Sequence, residues 1–455
     1  MSELFDFLKY CQGAKSDVNK VIAGIDWQML YSFAFKQALL GLCFDGIERL
    51  GKEYPEELKL NPIGRELLMT WMGKAQQIRR QNMKVNAEAG KLFSMLREDG
   101  FRCCILKGQG NALMYPNPYS RTPGDIDVWV NASREYLTEY AKCHFKLEDD
   151  IRFHHLETTL DGVPVELHFF PGIMNNPIYN ARLQKWFKRN ADLQCSNVVS
   201  LSDGIGEIAI PTTAFNVIYQ LCHLYHHFFD EGIGMRQIID YFLVVNDFSK
   251  NVFLNTDLSN HPVNFSNHPV PLSKEGSTFS PSPSSSGSGD VTAPSRCSEP
   301  LRSKDGGPSK VSPDCAGWDR LAIEEDNSAS SATAVTSSAS TALVVVQREL
   351  MCLGLWKFAR AVMYVLHEVS GLSEEKMIAP MDEKRGTLLL AEILNGGNFG
   401  QHFTKYGNFT QQGMAKKYFL KIWRNMHFVR YYPAEALCEP IFRTWHFFWR
   451  MKNRK

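Results

Sequence analysis

The sequence predicts an α+β protein in which a strand-rich centre, about residues 101–210, lies between helical segments at either end of the chain. Three observations carry this. Apolar residues recur at three- and four-residue intervals through Leu30, Phe33, Leu39, Leu40 and Phe44, and again through Leu67, Leu68, Trp71, Leu92 and Leu96, the spacing of amphipathic helices. From Phe101 onward the pattern shortens to apolar runs and alternations bounded by Pro, Gly and an Asp-Gly pair, which is how strands and turns read. Helical spacing then resumes through Ala214 to Phe229 and Met235 to Val245, and again beyond Val344 with Leu353, Trp356, Phe358, Val362 and Leu366 as core positions.

Taken in order, residues 1–100 form an N-terminal helical segment that Gly100 stops. Cys103 to Leu106 is a short apolar strand, Gln109 to Met114 a helical turn, and Pro116, Pro118, Pro123 and Gly124 mark an irregular loop. Asp125 to Val130 is the next strand. Asn131 or Ser133 caps a helix reaching about Lys142, and His144 to Glu148 and His154 to Leu160 alternate as strands. Asp161-Gly162 is a hairpin turn leading into a strand from Val163 to Phe169. Residues 211–248 begin a helical subdomain. Residues 249–342, with the runs SPSPSSSGSGD and NSASSATAVTSSASTA, read as a disordered Ser/Pro-rich insertion too poor in apolar surface to offset ordering entropy. Residues 343–455 complete the subdomain the insertion interrupts and end in a basic tail.

At 455 residues the chain is longer than a typical domain of roughly 100 to 200, so more than one structural unit is expected. Hydrophobic residues at 44% and charged residues at 22% exclude a wholly disordered chain. A net charge of +1 means that any polyanion must be met by local asymmetry. Glu3, Asp6 and Lys9 interrupt the first apolar stretch, which argues against a signal peptide. The apolar region from Leu30 to Phe44 is broken by Lys36 and falls short of the roughly 20 residues a bilayer span requires, so a cytoplasmic location is expected. Eleven cysteines without paired C-x-x-C sets fit reduced thiols better than a disulfide framework.

The chemistry gathers in ILKGQGNALMYPNPYSRTPGDIDVWV, residues 105–130. Side chains two apart on a strand share a face, so Asp125 and Asp127 point the same way. Carboxylates held that close raise one another's pKa unless a cation lies between them, which suggests a divalent ion with oxygen ligands, Mg²⁺ first and Mn²⁺ as the alternative. The competing reading is a solvent-facing pair on an edge strand. Further on, Glu166 and His168 share one face of their strand and Val165, Leu167 and Phe169 the other; a carboxylate on so apolar a strand needs a partner. His223, His226 and His227 fall near one helical face, but no Glu follows the first as in H-E-x-x-H and no cysteine cluster is near, so structural or substrate-facing histidines are the stronger reading than zinc ligands. From Gln411 the chain holds ten Lys or Arg against two Glu, read as packing helices with a solvated basic face ahead of polyanion or membrane-surface contact.

The order Lys107-Gly108, Asp125-x-Asp127, then Glu166 on a hairpin strand resembles the nucleotidyltransferase superfamily of DNA polymerase beta and the aminoglycoside nucleotidyltransferases, and so implies its mixed-sheet core. More narrowly, L-K-G, R-T-P-G-D-I-D, V-E-L-H, H-L-Y-H-H and G-M-R-Q-I-I-D-Y are similar to an uncharacterised bacterial nucleotidyltransferase family, over about residues 20–247 and 344–435. The resemblance implies that Asp125, Asp127 and Glu166 bind metal ions and carry catalysis, with Glu166 positioning or deprotonating an acceptor hydroxyl. Lys107, Gly108 and Arg121 would hold a nucleoside triphosphate such as ATP, and two ions about 3.5–4 Å apart would support attack on its α-phosphorus with loss of pyrophosphate. His168, His223, His227, Arg236 and Asp240 would lie on the acceptor side, with an i, i+4 ion pair as the alternative for Arg236 and Asp240. The acceptor is a hydroxyl of a small molecule, sugar, protein or, with less support, RNA. Gly108-Gln109-Gly110 stands where the superfamily usually has Gly-Gly or Gly-Ser, and the alternative function is a non-catalytic nucleotide-binding or partner-sensing protein.

Overall fold

The chain begins with a run of helices: α1 (Ser2–Cys11), α2 (Val18–Gly24), α3 (Trp27–Lys36), α4 (Leu40–Glu53), α5 (Pro55–Leu60) and the 34-residue α6 (Arg65–Glu98). The computed structural model that shows them describes residues 2–14, 17–148, 152–254, 331–402 and 414–453. Local signals set the ends of these helices. Asp17 and Asp26 cap α2 and α3 by accepting from the backbone N–H of Lys20 and Met29, and Gly100, at φ +83°, ends the turn after α6. The length of α6 lets it serve two cores. Trp71, Ala75 and Ile78 pack among the other helices, while Val85, Ala89, Leu92, Phe93 and Leu96 pack on the sheet.

The sheet is built from β1 (Cys103–Leu106), β2 (Ile126–Val130), β3 (His155–Leu160) and β4 (Val163–His168), with α7 (Gly108–Ala112) after β1 and α8 (Arg134–His144) after β2. Its order is β1-β2-β4-β3. The outer pairs are antiparallel and β2 runs parallel to β4, so the sheet is mixed and the fold α+β. Period-two alternation divides its faces. Ile105, Ile126, Val128, Val165 and Leu167 lie against α6 and α8, whereas Asp127, Glu166 and His168 belong to the opposite face. Asp161 and Gly162 take φ +48° and +78°, the left-handed pair of a two-residue hairpin turn, and tie β3 to β4.

Some local expectations change. Ser133, not Asn131, caps α8 by accepting from Tyr136 N–H, and the helix runs to His144. Residues 144–148 form no strand; a single bridge joins Leu147 to Thr158. Asp125 stands just before β2 and not within it.

Beyond the sheet come α9 (Pro177–Ser196), the small β5 (Val198–Ser200) and β6 (Glu207–Ala209) hairpin, α10 (Thr213–Asp230) and α11 (Met235–Leu254). Then follow α12 (Ser331–Cys352), α13 (Trp356–Ser370), α14 (Glu383–Gly396), α15 (Met414–Met426) and α16 (Pro433–Asn453). Most of α10 is buried, with Phe228 and Phe229 set among Phe358, Phe428 and Tyr432. The described residues up to Leu254 and from Val335 belong to one compact unit. Of the expected insertion 249–342, residues 255–330 lie outside the described residues. Its edges are helical: α11 continues past Ser249, which is buried with its hydroxyl on the carbonyls of Val245 and Lys376, and α12 begins at Ser331.

The basic tail is less solvated than its composition suggests. Lys421 and Arg443 reach Asp230 at 3.1 and 2.6 Å, and Arg424 is buried with a bond to the Phe228 carbonyl. The described cysteines are free thiols, and no described helix is long and apolar enough to cross a membrane.

Candidate active site

Between β1 and α7 the chain turns through Lys107 at φ +51° and Gly108 at φ +28°. A lysine in that region is strained, and such strain is kept where surrounding structure holds it. Three contacts hold it here. Gln109 donates to Asn86 of α6 at 2.7 Å, Asn111 and Gln220 exchange amide bonds of 3.0 and 2.7 Å with α10, and Gly110 packs on Ile210, whose side chain a Cβ would meet at 3.0 Å. The Gln in Gly108-Gln109-Gly110 is therefore a buried anchor. Lys107 Nζ is 2.9 Å from Asp127 and 3.3 Å from His223 Nε2.

The parallel pairing of β2 with β4 sets Asp127 directly across from Glu166, and Asp125 lies two residues before Asp127. All three line a cavity of about 330 Å³. His168 Nε2 stands 3.0 Å from Asp127 Oδ1 and 3.0 Å from Glu166 Oε2. Burial works against charge on Asp127, but Lys107 and His168 outweigh it and hold that carboxyl well below the usual range. Asp125 goes the other way, pushed up to about 7 by the charge of Asp127, by burial and by Glu166. Burial also disfavours the His168 cation, yet its bonds to Asp127 and Glu166 push it up to about 9. Lys107 and His168 thus both sit against Asp127, while Asp125 has no such partner among them. The three carboxyl groups line one cavity as oxygen donors, and such a set fits a divalent cation.

Arg121 enters from the loop after α7, held by its carbonyl, which accepts from Asn82 at 2.6 Å. Its Nε and Nη2 bond both Asp240 oxygens at 2.9 and 2.8 Å, and Tyr115 donates to the same carboxylate at 2.7 Å. The alternative i, i+4 pair is therefore displaced: Arg236 donates to the Thr122 carbonyl and lies over the Phe399 ring. Arg121 Nη1 is buried without a hydrogen-bond partner among the described residues. Arg121, Arg236 and Asp240 all line the cavity.

His223, His226 and His227 of α10 line it too, as do His154, His155, Glu157 and Asp230, which sequence reasoning did not single out. Burial holds His154 and His223 neutral and lowers His227 to about 3. A signal for Glu157 and His155 was available. Counting back from the Asp161-Gly162 turn pairs Leu160 with Val163, hence Glu157 with Glu166 and His155 with His168.

No curated protein and no solved structure matches the chain. A family model described as "Uncharacterised nucleotidyltransferase" matches residues 23–259, more than half of the 455 residues, and this span contains the strained turn, Arg121, the three carboxylates and the histidines of α10. With the matched span and the acidic cluster coinciding, the chain belongs to this nucleotidyltransferase family.

Proposed function

We propose that the protein transfers a nucleoside monophosphate from a nucleoside triphosphate to a hydroxyl acceptor, on a core of the polymerase-beta type, with Mg²⁺ as the ordinary cation. The observation that carries this is the register of β2 on β4, which brings Asp127 and Glu166 together beside Asp125 in a cavity that also receives Lys107 and Arg121. The acceptor oxygen forms a bond to the α-phosphorus, the α–β bridging bond breaks, and pyrophosphate leaves. Glu166 orients the acceptor hydroxyl and takes its proton. Lys107 and the open Nη1 of Arg121 meet the negative charge of the triphosphate, and Gly108 lets the backbone approach it. His168 keeps Asp127 and Glu166 in place. A cation held by Asp125, Asp127 and Glu166 supplies charge neutralisation and polarisation of the phosphoryl oxygens.

The test is transfer of label from each α-labelled triphosphate to a hydroxyl-bearing component of a cell extract in Mg²⁺. The paired substitution Asp125→Asn and Asp127→Asn should lower transfer by about 10³-fold or more while the circular dichroism spectrum is kept; undiminished transfer overturns the assignment. One observation favours a second reading, a nucleotide sensor: Asp127 is already satisfied by Lys107 and His168. Calorimetry that finds Mg²⁺-dependent triphosphate binding without turnover selects it. An RNA acceptor is the less favoured choice because Lys421, Arg424 and Arg443 are engaged within the protein.

A further inference from the structure

We propose that His154, His155 and His168, with Glu166, bind a transition-metal ion such as Zn²⁺, at a position beside the Asp125/Asp127 pair and different from it in chemistry. The hairpin register sets His155 across from His168 and Glu157 across from Glu166, so two cross-strand pairs share one sheet face. His154, one residue ahead of β3, brings its ring to 4.3 Å from His155 and 5.6 Å from His168, centroid to centroid. One ligand atom from each of the three histidines falls within 4.8 Å of the others. His155 Nδ1 is 3.2 Å from Glu166 Oε2, and His168 Nε2 is 3.0 Å from the same atom. Donors bound at about 2.0–2.2 Å to one ion stand roughly that far apart.

Two further features point to a ligand. The first is His154: its Nδ1 is buried with no hydrogen-bond partner among the described residues, an expensive orphan in a cavity wall. The second is His168, whose Nδ1 lies 3.2 Å from the Phe170 carbonyl. A backbone carbonyl on one ring nitrogen fixes a proton there, the usual outer support of a ligating histidine, so that Nε2, which otherwise meets Asp127 and Glu166, is the atom that would turn to a metal. Arg152 stands 3.2 Å from Glu157, so Glu157 is the less available of the two carboxylates and Glu166 completes the set.

Ligand chemistry chooses the ion. Mg²⁺ takes oxygen donors and keeps its water, whereas imidazole nitrogens suit Zn²⁺, Co²⁺ and their neighbours. The cavity thus sets the carboxyl groups of Asp125, Asp127 and Glu166 beside a nitrogen-rich position along the hairpin. Buried histidines that merely hydrogen-bond would account for His168, but not for the orphaned nitrogen of His154. The proposal stands on this geometry and does not depend on the transfer reaction.

The experiment titrates Co²⁺ into the full chain, free of any histidine tag, in millimolar Mg²⁺. One equivalent should bind, give visible d–d absorption bands, and be displaced by Zn²⁺. His154→Gln with His155→Gln should weaken Co²⁺ binding at least tenfold, whereas Asp125→Asn should keep the bands. Circular dichroism and urea unfolding check that each variant is folded, and His154→Gln alone, expected to shift the bands, serves if the pair is not. Absence of Co²⁺ binding in Mg²⁺, or bands unaltered by the histidine substitutions, overturns the site. Loss in Asp125→Asn with retention in the histidine variants places the ion on the carboxylates and overturns it as well. Transfer of label in Mg²⁺ is read separately, so failure of either proposal leaves the other measurable.

Discussion

Arg121 and Asp240 are 119 residues apart and form a doubly bonded, almost fully buried ion pair at the cavity wall. Burial works against the Asp240 charge, and Arg121 and Arg236 outweigh it. Removing one member strands the other, so Arg121→Ala and Asp240→Ala should each cost about 3–5 kcal/mol. The double variant should cost clearly less than the sum, because neither charge is then left alone. Urea unfolding of the four proteins measures this, and additive losses would show that the pair is not coupled. The sequence placed Arg121 near the aspartates through R-T-P-G-D-I-D, and Asp240 near Arg236 through helical spacing. It did not show that Arg121 would take Asp240. Helical spacing speaks only of neighbours along one helix, and the guanidinium that reached Asp240 came from a loop.

At the scale of elements, the loop carrying Arg121 is pressed on α4. A Cβ added to Gly41 would stand 2.2 Å from the Ser120 carbonyl oxygen, and backbone cannot give way as a side-chain tip can. Gly41→Ala should therefore destabilise the fold by about 1–3 kcal/mol and raise the KM for triphosphate by displacing Arg121. Unfolding and steady-state assays read the two effects, and an unchanged unfolding midpoint would mean that the contact yields freely. The β3–β4 hairpin was legible because Asp161-Gly162 prescribes its turn and register. Residues 144–148 alternate as a strand does, but alternation over five residues also fits a helix end, and only one bridge to β3 forms there. Nothing in the sequence periodicity of α6 distinguished its two halves, since both faces it serves are apolar.

Across the whole molecule, α16 closes back onto the segment leading into α9. Glu435 accepts from the backbone N–H of Asn175 at 2.6 Å and of Asn176 at 3.3 Å, and burial pushes its carboxyl from an ordinary value near 4.5 up to about 7. A raised carboxyl pKa means that the folded state holds the proton more tightly. Its contribution is fully present below about 4.5 and is lost as pH rises through 7, a difference of about 3 kcal/mol. Urea unfolding between pH 5 and pH 8 should show this loss, and Glu435→Gln should flatten it; an unaltered slope in that variant would assign the pH dependence elsewhere. The sequence by itself determined the α+β class, the hairpin, the strand that carries Asp127 and the one that carries Glu166, because each follows from short-range periodicity or turn chemistry. Tertiary structure alone decided that β2 lies parallel to β4 with Asp127 across from Glu166, that Lys107 and His168 share Asp127, and that six histidines from a hairpin and a helix meet in one cavity. Those pairings join residues far apart in the chain, and the burial of α10 and both faces of the sheet, not any local pattern, selects them.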